Sequence, residues 1–168
     1  MRKLEKLNLK NLNKTYFIGK DSLKSLSYLK YLKTQTWPEI QDFKLREFLN
    51  GLPLRNVEIE MIENQLTNQL HNAFTKHLKE LIITGNNVNY IDSHAFSTIE
   101  GTELVLRIHN TQVQRLKSDI FFSLIKNFSQ LTLDLRNNHI NELSPSVIYG
   151  NLSWETVGTN MVSGMHNM

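Results

Sequence analysis

Apolar residues recur along nearly the whole chain in one spacing: apolar, two variable, apolar, one variable, apolar, two variable, asparagine, one variable, apolar. Leu78, Leu81, Ile83, Asn86 and Val88 fill every slot, with Ile91 following. Leu106, Ile108, Thr111, Val113 and Leu116 hold the later slots 25 residues on. Leu133, Leu135, Asn138, Ile140 and Leu143 make a third copy. Upstream, Leu54, Val57, Ile59 and Ile62 form an earlier unit, preceded by Leu29 and Leu32, and by Leu4, Leu7 and Leu9. The starts fall near 4, 29, 54, 78, 103 and 130, at intervals of 25, 25, 24, 25 and 27. Three copies are strong and three are degenerate: Leu12, Trp37 and Ile62 stand in the asparagine slot of the first three, and Glu103 and Gln130 stand in the first apolar slot of the last two. The rival explanation is a helical or α/β domain whose leucines share a register by accident. The recurrence of Asn86-Asn87-Val88 as Asn137-Asn138-His139-Ile140 argues against it.

A period in this range is the signature of a leucine-rich repeat, one strand per unit stacked into a solenoid. In Leu133-Asp134-Leu135-Arg136 apolar and charged residues alternate, the period of two of a strand with one buried face. The asparagine that follows can satisfy backbone groups of the neighbouring repeat through its side-chain amide where the chain leaves the sheet. The return segments should supply the rest of the core: Phe96 with Ile99, Phe122 with Leu124, and a helical run of Ile40, Phe43, Phe48 and Leu49 ending at Gly51, with Pro38 in its first turn. Trp37 and Trp154 are expected to fill irregular repeats. The expected class is therefore α/β: a curved parallel sheet on the concave face, with short helices and irregular segments on the convex face. About six repeats span 1–153, and 154–168 reads as a disordered or truncated tail outside the array. A single repeat buries too little to fold alone, so stacking and end caps must stabilise the array. No amphipathic cap precedes Leu4 and no complete one follows Leu143, so the sequence reads as an internal or truncated piece of a longer solenoid.

The register also names the outward side chains of the sheet, since the residues between the inward leucines point the other way. They are Lys6, Asn8 and Lys10; Tyr31, Lys33 and Gln35; Asn56, Glu58 and Glu60; Glu80, Ile82 and Thr84; Val105, Arg107 and His109; and Thr132, Asp134 and Arg136. Lys33 should meet Glu58, and Arg107 should meet Asp134, pairings that favour a sheet. Tyr31, Lys33, Glu58, Glu60, Glu80, Ile82, Arg107, His109, Asp134 and Arg136 are the candidate partner-binding residues. Among them Tyr31, Ile82 and Arg107 are the anchors, because aromatic, apolar and arginine side chains anchor interfaces. The competing reading is a solvated sheet face whose charges compensate one another.

Composition narrows the chemistry. Nineteen Lys and Arg against sixteen Asp and Glu leave a net charge of +3, interspersed without blocks. No basic stripe or nucleic-acid module is present, so no nucleic-acid partner is expected. The chain has no cysteine, which removes disulfides, thiolate metal sites and cysteine nucleophiles. The first ten residues interleave charge with leucine and lack the apolar run of a secretory signal, so the chain as written is not expected to be exported. No apolar run approaches the ~18–20 residues that span a bilayer. Its seven glycines form no phosphate loop, and no G-x-S-x-G elbow occurs. His71 and His77 are six residues apart, too far to share a helix face as metal ligands, and read as exposed convex residues. Met161, Met165 and Met168 beside His166 lie in the polar tail without periodicity. No catalytic residue, metal site or cofactor is expected.

The segments Leu78-Lys-Glu-Leu-Ile-Ile-Thr-Gly-Asn-Asn-Val and Leu133-Asp-Leu-Arg-Asn-Asn-His-Ile-Asn-Glu-Leu resemble extracellular leucine-rich repeats of the chaoptin and Toll-like type in insects, over about residues 50–160. The resemblance implies a cell-surface adhesion molecule or receptor that binds a protein ligand or a homophilic partner. Such proteins carry a signal peptide, cysteine-capped arrays and a membrane or lipid anchor. Trp154-Glu-Thr-Val-Gly-Thr-Asn-Met-Val-Ser-Gly resembles the lead-in to a C-terminal cysteine cap, though no cysteines follow. Asn13, Asn127 and Asn151 open three glycosylation sequons, about the number chance gives for 19 asparagines and 24 serines and threonines. The alternatives are an intracellular leucine-rich-repeat scaffold, favoured by the lack of cysteine and signal sequence, and a truncated gene product without independent function.

Overall fold

A computed structural model of the chain describes residues 3–12, 14–117 and 119–143, and the backbone of 152–154. In chain order the elements are β1 (Lys6–Asn8), β2 (Tyr31–Gln35), α1 (Leu45–Leu49), β3 (Asn56–Glu60), β4 (Gln65–Leu66), β5 (Glu80–Thr84), β6 (Tyr90–Ile91), β7 (Glu103–His109), β8 (Arg115–Leu116), α2 (Phe122–Asn127), β9 (Gln130–Asp134), β10 (Glu142–Leu143) and β11 (Leu152–Trp154). The long strands form one parallel sheet in the order β1-β2-β3-β5-β7-β9-β11, and the two-residue strands pair as β4–β6 and β8–β10. This is a leucine-rich-repeat solenoid, each turn adding one strand to the concave sheet.

The spacing of the leucines sets the register. Lys6 pairs Tyr31, Tyr31 pairs Asn56, Asn56 pairs Glu80, Glu80 pairs Val105 and Val105 pairs Thr132, the same 25, 25, 24, 25 and 27 steps as the repeats. One inward column therefore runs through Leu7, Leu32, Val57, Leu81, Leu106 and Leu133, and all but Leu7 are fully buried. A second passes through Thr34, Ile59, Ile83 and Ile108. Thr34 is buried there as a polar intruder, satisfied by donating its hydroxyl to Gln35 O at 3.3 Å.

The convex layer closes the core. Phe96 and Phe121 stack with ring centroids 6.0 Å apart. Trp37 meets Phe43 and Phe48 edge-on at 5.3 and 6.0 Å, so it fills an irregular repeat as its sequence position suggested. Two expectations fail. Phe122 is 66% exposed, and its neighbour Phe121 is the buried ring: Phe121 stands just before α2, over Phe96, and the next residue points away. The helix expected from about Pro38 is confined to Leu45–Leu49, because Pro38 heads a turn closed by Ile40 N–H donating to Trp37 O. Its end is as expected, with Gly51 at φ 77° just after the C-cap Asn50.

The asparagine slot divides. Asn138 donates from Nδ2 to Ile108 O (2.6 Å) and Leu135 O (2.7 Å), and its Oδ1 accepts from Thr111 N (3.0 Å) and Thr111 Oγ1 (2.8 Å). That is the inter-repeat bridge expected of the slot. Asn86 is exposed instead. Its repeat turns on Gly85, where an added Cβ would lie 2.6 Å from Met61 O. His77 is exposed and His71 half-buried on the convex side.

Candidate concave binding face

From β1 to β9 the strands of the sheet send alternate side chains to the concave side, and parallel register arranges them in rows. One row reads Lys33, Glu58, Ile82, Arg107, Asp134 from β2 to β9. The row before it reads Tyr31, Asn56, Glu80, Val105, Thr132, and the row after it places Glu60 beside Thr84 and Thr84 beside His109. Nine of the ten candidate residues thus share one face, and Arg136, just past the end of β9, joins it through its bonds to Asp134.

Both charge pairs expected from the register form: Lys33 Nζ lies 2.8 Å from Glu58, and Arg107 Nη1 lies 3.2 Å from Asp134. The network extends further than adjacency suggests. Lys10, beyond the end of β1, crosses buried Gln35 to reach Glu58 and Glu60, each at 3.1 Å. Burial pushes Lys10 down, but its bonds to the two glutamates outweigh this and hold its pKa above the usual lysine value. Burial likewise pushes Glu58 up, and the bonds from Lys33 and Lys10 outweigh it, holding the carboxyl low. Glu80 accepts from Asn56 Nδ2 at 2.8 Å and from Arg107 Nε at 3.1 Å.

Asp134 is the deepest member. Its side chain is fully buried, gripped by Arg136 through Nε to Oδ1 (2.8 Å) and Nη2 to Oδ2 (2.6 Å), with the Arg136 N–H on Oδ1 at 3.2 Å. His109 Nε2 lies 3.2 Å from Oδ1 with geometry short of a hydrogen bond. The Arg136 guanidinium foremost, against the opposing effect of burial, drives the carboxyl far below the ordinary aspartate range. Asp134 therefore fixes two arginines and is itself out of reach of a partner. The surface that a partner can touch is Tyr31, with Lys6 Nζ 4.8 Å over its ring, then Lys33, the rims of Glu58, Glu60 and Glu80, Ile82, Arg107, His109 and exposed Arg136.

Sequence reasoning missed the reach of Lys10 and the sequestration of Asp134. The register placed Lys10 in the row of Glu60, and a four-carbon stem long enough to pass Gln35 was the available signal. Of the sequons, Asn127 is described: it is half-buried and its Nδ2 donates to Ile99 O at 3.2 Å, so a glycan there would have to replace the other amide hydrogen. Asn13 and Asn151 lie outside the described residues, as does the tail after Trp154. Among the described residues no cluster of three metal-ligating side chains occurs, and no helix is long and apolar enough to cross a membrane.

No protein-family model matches the chain. Chaoptin of Tribolium castaneum is 25% identical over 138 residues, 80% of this chain and 17% of that protein. The chain thus spans about a sixth of the relative's length. Together with the parallel solenoid, this similarity supports a chaoptin-like stretch of leucine-rich repeats.

Proposed function

We propose that this chaoptin-like solenoid is a non-enzymatic protein-binding module, a segment of a cell-surface adhesion molecule or receptor, and that it takes its partner on the concave face. The observation that carries the reading is the arrangement of that face. A partner-accessible tyrosine and a half-buried isoleucine sit among long charged side chains already held in place by their neighbours, and a pre-ordered polar rim around apolar contacts lowers the entropic cost of binding. The charges run positive at Lys6, Lys10 and Lys33, negative at Glu58, Glu60 and Glu80, and positive again at Arg107 and Arg136, a pattern that selects a partner of opposite order.

The test is a screen of the soluble chain against displayed cell-surface ectodomains and against the immobilised chain itself, followed by variants. Tyr31→Ala, Ile82→Asp, and the charge reversals Glu58→Lys and Arg107→Glu should each weaken capture about tenfold or more, whereas the convex Lys126→Glu should not. Capture untouched by all four concave variants rules out this face. A second reading, an intracellular scaffold, draws on the absence of cysteine from all 168 residues. It is favoured if the binding partner proves cytosolic.

A further inference from the structure

A cavity of about 300 Å³ opens between the second and third repeats, just past the ends of β2 and β3. The turns after those strands supply Thr36 and Glu63 to its lining, the entry to α1 supplies Phe43, Lys44 and Arg46, and the stretch after β4 supplies Asn68. None of these belongs to the concave face. Thr36 donates its hydroxyl to Glu63 Oε2 and accepts the Ile62 N–H at 2.9 Å, which fixes the Glu63 carboxylate and leaves its Oε1 without a donor among the described residues. Exposed Arg46 makes no ion pair or hydrogen bond with any described residue, nor does the side chain of Asn68. Lys44 has Glu47 at 3.5 Å, a contact between well-exposed side chains that is easily given up. Half-buried Phe43, backed edge-on by Trp37 at 5.3 Å, and buried Leu45 add apolar surface between these polar groups.

We propose that this cavity binds the C-terminal residue of a partner polypeptide, one with an apolar side chain. Charge specifies the free carboxylate. Lys44 and Arg46 against Glu63 leave the lining one positive charge in excess, which one carboxylate neutralises, and an uncommitted guanidinium fork takes a carboxylate at two points. The fixed acceptor specifies a donor beside it. A C-terminal residue carries that donor in its own N–H, which Glu63 Oε1 accepts, and an organic acid without nitrogen leaves the oxygen unmatched. Phe43 and Leu45, which alternate with the two cations along the chain, specify an apolar side chain. The Asn68 carboxamide, both donor and acceptor, serves the peptide group that precedes the terminal residue. Cavities that hold whole small molecules run to roughly 300–1,000 Å³, so this one has room for a single residue with the rest of the partner outside. A phosphate is disfavoured, because its second charge finds no counterpart and faces Glu63. The site shares no residue with the concave candidates and is independent of that reading.

N-acetyl-leucine carries the free carboxylate, the N–H and the apolar side chain of such a terminus, and NMR titration of the isotope-labelled chain with it tests the site. The side-chain amide signals of Asn68 and Gln69, which also line the cavity, should shift and saturate with a Kd on the order of 1 mM. N-acetyl-leucine amide, without the charge, should bind about tenfold more weakly, and N-acetyl-glycine, without the side chain, about tenfold more weakly as well. Arg46→Gln should weaken N-acetyl-leucine about tenfold, Lys44→Gln should weaken it less, and Lys126→Gln, at an exposed lysine of α2, should leave it unchanged. Because Arg46 is exposed, the Arg46→Gln chain should melt with the parent, so its loss of binding reports the site and not the fold. The proposal is overturned if the Asn68 and Gln69 signals do not move or do not saturate, if the amide binds as well as the acid, or if Arg46→Gln binds as the parent does. Free leucine binding more tightly than N-acetyl-leucine would also overturn it, in favour of an amino acid as the ligand.

Discussion

Arg136 holds Asp134 in a two-point grip, Nε to Oδ1 at 2.8 Å and Nη2 to Oδ2 at 2.6 Å, over a carboxylate with no exposed side-chain surface. The pair lies at the end of β9, where the concave row meets the turn out of the sheet. Because Arg107 also reaches this carboxylate, one buried charge orients the guanidinium groups of two repeats. A planar fork on a carboxylate fixes direction as well as distance.

Loss of that charge should be visible in stability. Asp134→Asn keeps the volume and removes the charge-assisted bonds, so it should cost about 1–3 kcal/mol in urea unfolding at neutral pH. The folded carboxyl titrates well below its unfolded value of about 3.9. Its contribution is therefore fully present above about pH 4 and declines as pH falls through the folded value. Stability measured from pH 7 down to pH 3 should fall at the acid end, more steeply in the parent chain than in Asp134→Asn. Equal slopes would show that Asp134 is not the group responsible.

The two asparagine slots should respond differently to the same change. Asn138→Ala removes four hydrogen bonds and strands the Ile108 and Leu135 carbonyls, for a cost of about 2–4 kcal/mol. Exposed Asn86→Ala should stay within about 0.5 kcal/mol. Equal effects in paired thermal melts would contradict the assignment of the inter-repeat bridge to Asn138.

Adjacent phenylalanines offer a sharper contrast. Phe121→Ala empties the stack against Phe96 and should cost about 3–5 kcal/mol. Phe122→Ala on the exposed side should cost no more than about 0.5 kcal/mol. Chemical denaturation of the two variants decides which ring belongs to the core.

Gly85 is held by space, because a Cβ there would lie 2.6 Å from Met61 O and 2.8 Å from Val88 Cγ2. Gly85→Ala should therefore cost about 1–3 kcal/mol through displaced backbone. At Gly51 nothing lies within 4 Å of an added Cβ and only the positive φ opposes it, so Gly51→Ala should cost about 1 kcal/mol. A milder effect at Gly85 than at Gly51 would mean that the turn relaxes around the methyl.

The repeat spacing made the solenoid and its strand register readable from the chain, down to the neighbours Lys33–Glu58 and Arg107–Asp134, because parallel pairing between repeats turns a sequence interval directly into a spatial one. β11 escaped for the converse reason: Leu152 pairs Leu131 at a step of 21, which breaks the period. Periodicity also could not choose between Phe121 and Phe122, since a short irregular return segment has no fixed phase.

The order of residues carries the one-dimensional part of the fold: an array of stacked strands, which residues face inward, and which outward residues share a row. Those follow from alternation along a strand and a near-constant repeat length, both local properties. How far each outward side chain is from water is settled by the packing of the folded chain. Asp134 is buried and Ile82 half-buried in the same row, and Lys10 passes over Gln35 to glutamates two strands away. Depth depends on the reach and packing of neighbours in adjacent repeats, side chains about 25 residues apart in sequence and in contact in space, and no pattern along the chain records it.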